Sequence, residues 1–199
     1  MNTNETRQTI VARRSTRNFS SREIQEDDLI RILESANQAP SAHNKQSWRF
    51  IVIRGARKRA LAGLVNERAS QFNKPSSTLL RMASRSISSA PVVIAVVNTG
   101  ELVNHGTKSF ECAANLSDLF RTMEIQSSAA AVQNMILAAT SLGLGSVWLG
   151  ILGLIRDEVL SLLEVQEGEF MAVVPIGYAQ GKSVAPRKKT LNTLVSFLS

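Results

Sequence analysis

The segment Ser127–Leu142 carries apolar or small side chains on nearly every side of a helical projection. It is rich in Ala, Val, Ile, Leu and Met, and Gly143 follows as a C-terminal stop signal. A helix without a polar face is not stable at a solvent-exposed surface. This segment therefore predicts a helix that is buried in the core or in an interface between subunits.

Helical and strand patterns alternate along the rest of the chain. Three- and four-residue apolar spacing predicts helices at 6–11, 27–39, 57–67, 78–86 and 156–163, and apolar runs predict strands at 48–54, 91–97, 146–149 and 170–178. Residues 99–126 have mixed polarity and predict a mobile connection around Gly106, with helical tendency only near 115–123. Interleaved helices and strands indicate an α+β or α/β fold.

Length and composition favour one globular domain over residues 1–199, since the chain has 44% hydrophobic and 20% charged residues. The polar start, Met1–Thr9, predicts no signal peptide, and the longest apolar runs are too short to cross a bilayer. Cys112 is the only cysteine, which excludes an intrachain disulfide and favours a reducing, cytoplasmic location. With two separated histidines besides, we expect no metal site.

The formal net charge of +7 could serve a nucleic acid, an anionic membrane surface or an anionic small molecule. The basic residues lie in short groups at 13–17, 54–59, 81–85 and 187–189, without a long basic tail. Aromatic residues make up only 5%, which leaves little material for stacking on bases. We therefore expect a phosphorylated small molecule as partner, no nucleic acid and no membrane. Residues 57–59 (Arg-Lys-Arg) are interpreted as a solvated helix face.

Two basic motifs lie at opposite ends of the chain. Arg13, Ser15 and Arg17 offer two guanidinium groups and a hydroxyl, the donors that a phosphate monoester requires. Alone, this short motif favours a solvated basic turn. If the C-terminal Arg187–Lys189 folds back onto it, the two ends enclose one phosphate.

Two further motifs leave alternatives open. The polar residues between Pro40 and Trp48 either cap and turn the chain or present donors and acceptors to a ligand. The glycines between Gly143 and Gly150 do not match the dinucleotide fingerprint, because the third comes too late. They provide either a helix stop and strand entry, or a backbone that approaches a flat ring closely.

No conventional catalytic grouping is visible in the sequence. His43 has no acidic neighbour to orient it as a base, and Cys112 is typical of a small buried filler. We find no Ser-His-Asp grouping, paired-carboxylate signature or nucleotide-hydrolase phosphate loop.

The motifs in combination resemble the flavin-dependent nitroreductase family. They are Arg-Arg-Ser-Thr-Arg-Asn-Phe from residue 13, Ala-Pro-Ser-Ala-His-Asn-Lys-Gln-Ser-Trp-Arg-Phe from 39, Ala-Ala-x-Gln-Asn-x-x-Leu-Ala-Ala-x-x-Leu-Gly-Leu-Gly-Ser-x-Trp-x-Gly from 130, and Pro-Ile-Gly-Tyr from 175 followed by a basic cluster. They occur in the family's order and spacing, over residues 10–55, 90–97 and 127–195.

The resemblance implies an α+β, three-layer sandwich with a mixed, mainly antiparallel central sheet flanked by helices. It implies an intertwined homodimer that binds FMN non-covalently at its interface, with Ser127–Leu142 as the central dimer helix. Residues 99–126 correspond to the variable segment that builds the acceptor side and its lid.

The resemblance also assigns cofactor contacts position by position. The residues that match those holding the FMN phosphate are Arg13, Arg14, Ser15 and Arg17, and the basic pair that matches a second contact to this phosphate is Arg187 and Lys189. The segment that matches the one reaching the ring from the partner subunit contains Pro40, Ser41, Ala42 and Asn44. Gly150 matches the position whose backbone amide lies beside flavin N5. Lys189 stands where arginine is common, and Asn66 resembles a flavin-contacting asparagine of some members.

The implied activity is a ping-pong transfer from NADH or NADPH, through FMN, to a small-molecule electron acceptor. Nitroaromatics, quinones, free flavin or an enone are all compatible acceptors. The chemistry belongs to the cofactor, which agrees with the lack of a conventional catalytic grouping. Two alternatives are a flavin carrier or sensor that does not turn over nicotinamide, and a basic nucleic-acid-binding domain.

Overall fold

The computed structural model describes residues 4–109, 116–181 and 184–198. The helices are α1 (Glu5–Ala12), α2 (Glu26–Asn37), α3 (Gly55–Ala69), α4 (Ser76–Ser89), α5 (Glu101–Ser109), α6 (Leu116–Ser141) and α7 (Arg156–Leu162), and the strands are β1 (Trp48–Ile53), β2 (Val92–Asn98), β3 (Gly145–Ser146) and β4 (Glu169–Gly177). Short 3-10 helices lie at Ala42–Asn44, Ile151–Ile155 and Leu191–Thr193.

The four strands form one sheet in the order β1-β2-β4-β3, and each neighbouring pair is antiparallel. The N-terminal segment adds a parallel bridge at the β3 edge, where Ser15 pairs with Ser146. The sheet is therefore mixed and mainly antiparallel, as predicted. The strand predicted at 146–149 is shorter than expected: β3 ends at Ser146, and Leu149 makes a separate bridge to Val173.

Helices cover both faces of the sheet because successive side chains of β2 point in opposite directions. Val93 and Ala95 are fully buried in a core built with α3 and α4. Ile94 and Val96 are fully buried in a second core built with α2 and α6. This arrangement is the three-layer α+β sandwich that the resemblance implied.

Helix α6 is longer than predicted, because it starts at Leu116 and not at Ser127. One side, including Val132 and Met135, is fully buried within the protomer. The opposite side stays accessible: Gln133 is exposed and Leu137 is half-buried. Packing on the protomer's core thus explains the apolar character of one side of α6. It does not explain the apolar character of the other side, which is accessible in the protomer.

The mobile connection predicted around Gly106 is wrong for residues 101–109, which form helix α5. α5 packs on α6 where Gly106 faces the ring of Phe120, and a Cβ at position 106 would lie 2.2 Å from that ring. Buried Glu124 of α6 accepts a hydrogen bond from the Leu102 N–H at 2.7 Å, at the start of α5. These contacts fix α5 against α6.

The interpretation of residues 57–59 as a solvated face is confirmed for Arg57 and Arg59, which are exposed, and is wrong for Lys58, which is half-buried. Arg57 forms an ion pair with Glu164 and donates to the Leu162 carbonyl at 2.7 Å. Lys58 donates to the carbonyls of Ser88 and Ala90 at the end of α4, and burial lowers the pKa of its ammonium group. Arg57 and Lys58 therefore connect α3 to the end of α7 and to the end of α4, respectively.

Gly145 provides a test of how the N-terminal segment is held against β3. A Cβ at this position would lie 2.5 Å from Thr16 Oγ1. We predict that Gly145→Ala lowers the free energy of unfolding by about 1–3 kcal/mol, because Thr16 must move away from β3. Urea denaturation measures this change.

Gly63 is the matched control, since a Cβ there, in the middle of α3, meets nothing within 4 Å. Gly63→Ala should raise the free energy of unfolding by about 0.5–1 kcal/mol. Equal stability of Gly145→Ala and the wild type would contradict the close packing of Thr16 on β3.

Candidate functional site

A pocket of about 630 Å³ lies where the two ends of the chain meet. Its lining residues come from the N-terminal segment, the C-terminal segment and α6: Ile10, Val11, Arg13, Arg14, Ser15, Arg17, Gln133, Val184, Ala185, Pro186 and Lys188. The four N-terminal residues predicted to hold a phosphate are thus brought together, facing a segment from the opposite end of the sequence.

Backbone hydrogen bonds explain why the ends meet here. The Thr16 N–H donates to the Ser146 carbonyl at 2.9 Å, which ties residues after α1 to β3. The Ser20 N–H donates to the Tyr178 carbonyl at 2.9 Å, just after β4. Because β3 and β4 are neighbours, the chain enters and leaves at the same edge of the sheet. The sheet topology therefore delivers both basic segments to one place.

The positive charge around the pocket is not neutralised by the protein. Within the described part of the chain, no carboxylate forms a salt bridge with any basic residue at positions 13, 14, 17 or 187–189. Like charges held together repel one another, and an anion bound between them removes that cost. The pocket is thus suited to an anionic group.

The guanidinium groups of the N-terminal segment are not equivalent. Arg14 Nη1 donates to the carbonyls of Val11 at 2.6 Å and Arg13 at 2.7 Å, and so caps the end of α1. Arg17 makes only a long contact, 3.4 Å, to the Ser15 carbonyl. Arg13 and Arg17 therefore have most of their donors free, whereas part of Arg14 serves the helix end.

The C-terminal segment contributes Lys188 to the pocket lining, and neither Arg187 nor Lys189 is part of it. Residues 184–190 have no regular secondary structure and are exposed. The cofactor contacts that the resemblance assigns to Arg187 and Lys189 stay a prediction.

The segment from Ser41 to Gln46, called here the 41–46 turn, lies outside this pocket. His43, Asn44 and Gln46 have φ values of 52°, 51° and 50° in the left-handed region. Ser41 Oγ accepts the Gln46 N–H at 2.9 Å, so this hydroxyl shapes the turn. Pro40 and Asn44 are exposed, and Ser41 and Ala42 are half-buried. A ligand contact from Pro40, Ser41, Ala42 or Asn44 remains a prediction.

Gly150 is exposed and lies directly before the 3-10 helix Ile151–Ile155. Its φ of −79° is open to any residue, and a Cβ there would meet only Trp148 Nε1, at 3.8 Å. Neither its conformation nor its neighbours within the protomer require glycine. Asn66 is exposed on α3, on the opposite face of the sheet from α6, and does not line the pocket.

The apolar part of the pocket wall was not predicted. Ile10 and Val11 are 51% and 63% exposed, and Val184 is 90% exposed. Helix α1 has no buried residue, so apolar periodicity gives no hint that these side chains line a site.

Metal ligands and membrane-spanning helices were searched for in the described ranges of the chain. In these ranges, no three His, Cys, Asp or Glu residues are grouped as metal ligands would be. In the same ranges, no helix combines the length and hydropathy that a membrane span needs. Cys112 lies outside the described residues.

Comparison with known proteins places the chain in a family. A family model described as "Nitroreductase family" matches residues 10–178. A protein of Archaeoglobus fulgidus, provisionally named NADH dehydrogenase/NAD(P)H nitroreductase, is 33% identical over 85% of this chain and 82% of its own length. The 5,6-dimethylbenzimidazole synthase of Rhodospirillum rubrum is 28% identical over 90% of this chain and 84% of its own length.

Solved structures agree with this placement. A nitroreductase with bound FMN from Bacteroides fragilis is 25% identical, has a TM-score of 0.73, and the match covers 99% of this chain and 100% of that one. Because the family model spans most of the sequence, from the basic motif to the end of β4, the chain belongs to the nitroreductase family.

Proposed function

We propose that this protein is an FMN-dependent oxidoreductase that uses NADH or NADPH to reduce a small-molecule acceptor. The observation that carries the proposal is the pocket in which Arg13, Arg17 and Lys188 meet without a neutralising carboxylate. The FMN-bound Bacteroides fragilis structure and the nitroreductase name of the Archaeoglobus fulgidus relative support it.

The residues at the pocket fit the two chemical parts of FMN. Guanidinium and ammonium groups with the Ser15 hydroxyl suit a phosphate dianion. The apolar wall formed by Ile10, Val11 and Val184 suits the less polar remainder of the ligand. Gly150 does not line this pocket, but it is exposed, so its backbone is accessible to a flat ring.

The protein's own part in the reaction is to bind and orient. Bound FMN supplies a ring nitrogen, N5, that accepts and returns hydride. Arg13, Ser15, Arg17 and Lys188 would hold the phosphate, and the Gly150 backbone amide would lie beside the ring. Nicotinamide and acceptor would use the same space in turn, a ping-pong order. Nitroaromatics and quinones are the proposed acceptors, and the reducing, cytoplasmic location stays a prediction.

We also propose that the functional unit is an intertwined homodimer. Leu191, Phe197 and Leu198 in the C-terminal segment are 72%, 94% and 97% exposed in the protomer. Large apolar side chains exposed close together in one segment are typical of a surface that a partner covers. A second copy would cover this surface, and its 41–46 turn would complete the site.

A charge on the accessible side of α6 tests the dimer. We predict that Leu137→Asp converts dimers to monomers, because a buried, unpaired carboxylate is costly at an interface. Light scattering after size exclusion measures the mass. Leu79→Asp is the control, since Leu79 is 45% exposed on α4, on the other face of the sheet. A dimeric Leu137→Asp protein would place the interface elsewhere.

Removing single cations tests the phosphate site. We predict that Arg13→Ala and Lys188→Ala each weaken FMN binding roughly 10- to 100-fold, because a hydrogen bond to a charged group is worth about 1.5–3 kcal/mol. Fluorescence titration with FMN gives the dissociation constants. Arg85→Ala, which removes an exposed charge on α4, should leave them unchanged. Comparing Arg187→Ala and Lys189→Ala with Lys188→Ala shows which C-terminal cations contribute.

Anaerobic reduction tests the activity and separates the alternatives. We expect NADH or NADPH to bleach the absorbance of the FMN-loaded protein, and a quinone or nitroaromatic compound to restore it. A coloured protein that neither nucleotide bleaches would be a flavin carrier or sensor. A colourless protein that does not take up FMN would favour the nucleic-acid-binding alternative.

A further inference from the structure

We infer that Ser127, on α6, is a positioning residue that sets the 41–46 turn for contact with the cofactor ring. The inference rests on the proposed function and deepens it. It assigns a role to a buried hydroxyl that neither the sequence motifs nor the pocket lining includes.

The first observation is the strain in the 41–46 turn. Three of its six residues, His43, Asn44 and Gln46, have left-handed φ values, and none of them is glycine. Such conformations are unfavourable for most residues with a Cβ, and because His and Asn adopt them more readily than others, Gln46 is the clearest case of a backbone that its surroundings enforce. Strained backbone of this kind is concentrated at ligand-binding and catalytic sites.

The second observation is how the turn is held. Ala42 N–H donates to Ser127 Oγ at 3.1 Å, a contact between residues 85 positions apart in the sequence. Ser127 Oγ in turn donates to the Met123 carbonyl at 2.6 Å, which fixes the direction of its lone pairs. The hydroxyl is thus committed to the turn, and it links the strained backbone directly to α6.

The base of the turn is clamped beside this contact. Ala39 and Trp48, which flank the turn, pack against Ala131 of α6, one helical turn after Ser127. Trp48 Nε1 donates to Asn37 Oδ1 at 3.1 Å, so α2 also holds the exit of the turn. By contrast, His43 and Asn44 at the crest are exposed. A strained turn with a fixed base and an exposed crest is arranged to present its backbone to another molecule.

Because Ser127 lies on α6, it connects the 41–46 turn to the helix that carries the proposed subunit contact. The same helix carries the accessible side with Gln133 and Leu137, which we propose to be a subunit contact. The turn and that contact surface are therefore attached to the same helix. Ser127 would fix where the turn of one subunit lies relative to the ring bound by its partner.

The experiment compares Ser127→Ala with Ser127→Thr, which keeps the hydroxyl, and with Ser141→Ala, which removes an exposed hydroxyl from the same helix. The first measurement is amide hydrogen exchange at residues 42–46 in the flavin-free protein. We expect roughly tenfold faster exchange in Ser127→Ala, because a lost neutral hydrogen bond corresponds to about one power of ten in the exchange rate. Ser141→Ala should exchange at the wild-type rate, and Ser127→Thr should restore the protection.

The second measurement is the affinity for FMN and for riboflavin, which has the ring without the phosphate. Ser127→Ala should weaken both by the same factor, about three- to tenfold, since the turn that Ser127 positions would contact the ring, which both ligands share. Far-ultraviolet circular dichroism and dimer mass should stay unchanged. A purely structural role would speed exchange without lowering riboflavin affinity, and that result would overturn the inference.

The remaining outcomes separate this inference from the proposed function. If the wild type binds neither FMN nor riboflavin, the proposed function fails and the inference fails with it. If the wild type binds both and Ser127→Ala binds them equally well, only the inference fails. Wild-type exchange rates at residues 42–46 in Ser127→Ala would likewise overturn it.

Discussion

Unneutralised positive charge at the junction of the two chain ends is the constraint on which the account depends. Arg13, Arg17 and Lys188 are brought to one pocket by hydrogen bonds that attach both ends to the β3–β4 edge of the sheet. Without an anion, this arrangement is electrostatically unfavourable. The fold therefore maintains a site whose charge a bound anion would balance, and we propose that the phosphate of FMN is that anion.

Helix α6 connects this site to the rest of the molecule. Its buried side completes the core with α2 and β2, and Gln133 on its other side lines the pocket between the two chain ends. Its middle section holds the 41–46 turn through Ser127. One helix thus carries the core, the pocket wall and the turn, so a change in its position would affect all three together.

Local patterns in the sequence predict most of the fold, because burial imposes short periodicities. β1, β2 and β4 follow from apolar runs, and α2, α3 and α4 follow from three- and four-residue spacing. Helix α5 was missed, and the first turns of α6 were predicted only as a helical tendency near 115–123, because polar residues in these helices are satisfied by tertiary contacts, such as Glu124 with the Leu102 N–H. β3 was overestimated because the three apolar residues 147–149 look alike whether or not a neighbouring strand pairs with them.

The residues of the candidate site were harder to predict from the sequence than the helices and strands were. The cluster at Arg13–Arg17 was predictable because its members are neighbours in the chain. The choice of Lys188 over Arg187 and Lys189 was not, because residues 184–190 are irregular and have no periodicity to read. The capping role of Arg14 and the Ser127 contact depend on distances between elements, which no local pattern contains.

The most direct test of the central claim is the ratio of FMN to riboflavin affinity in the wild-type protein. The two ligands share the ring and differ in the phosphate, so the ratio isolates the contribution of the junction of the chain ends. The account predicts at least about 100-fold tighter binding of FMN, from two or more charge-assisted contacts, with the ratio falling as salt is added. Equal affinities, or a ratio insensitive to salt, would contradict it.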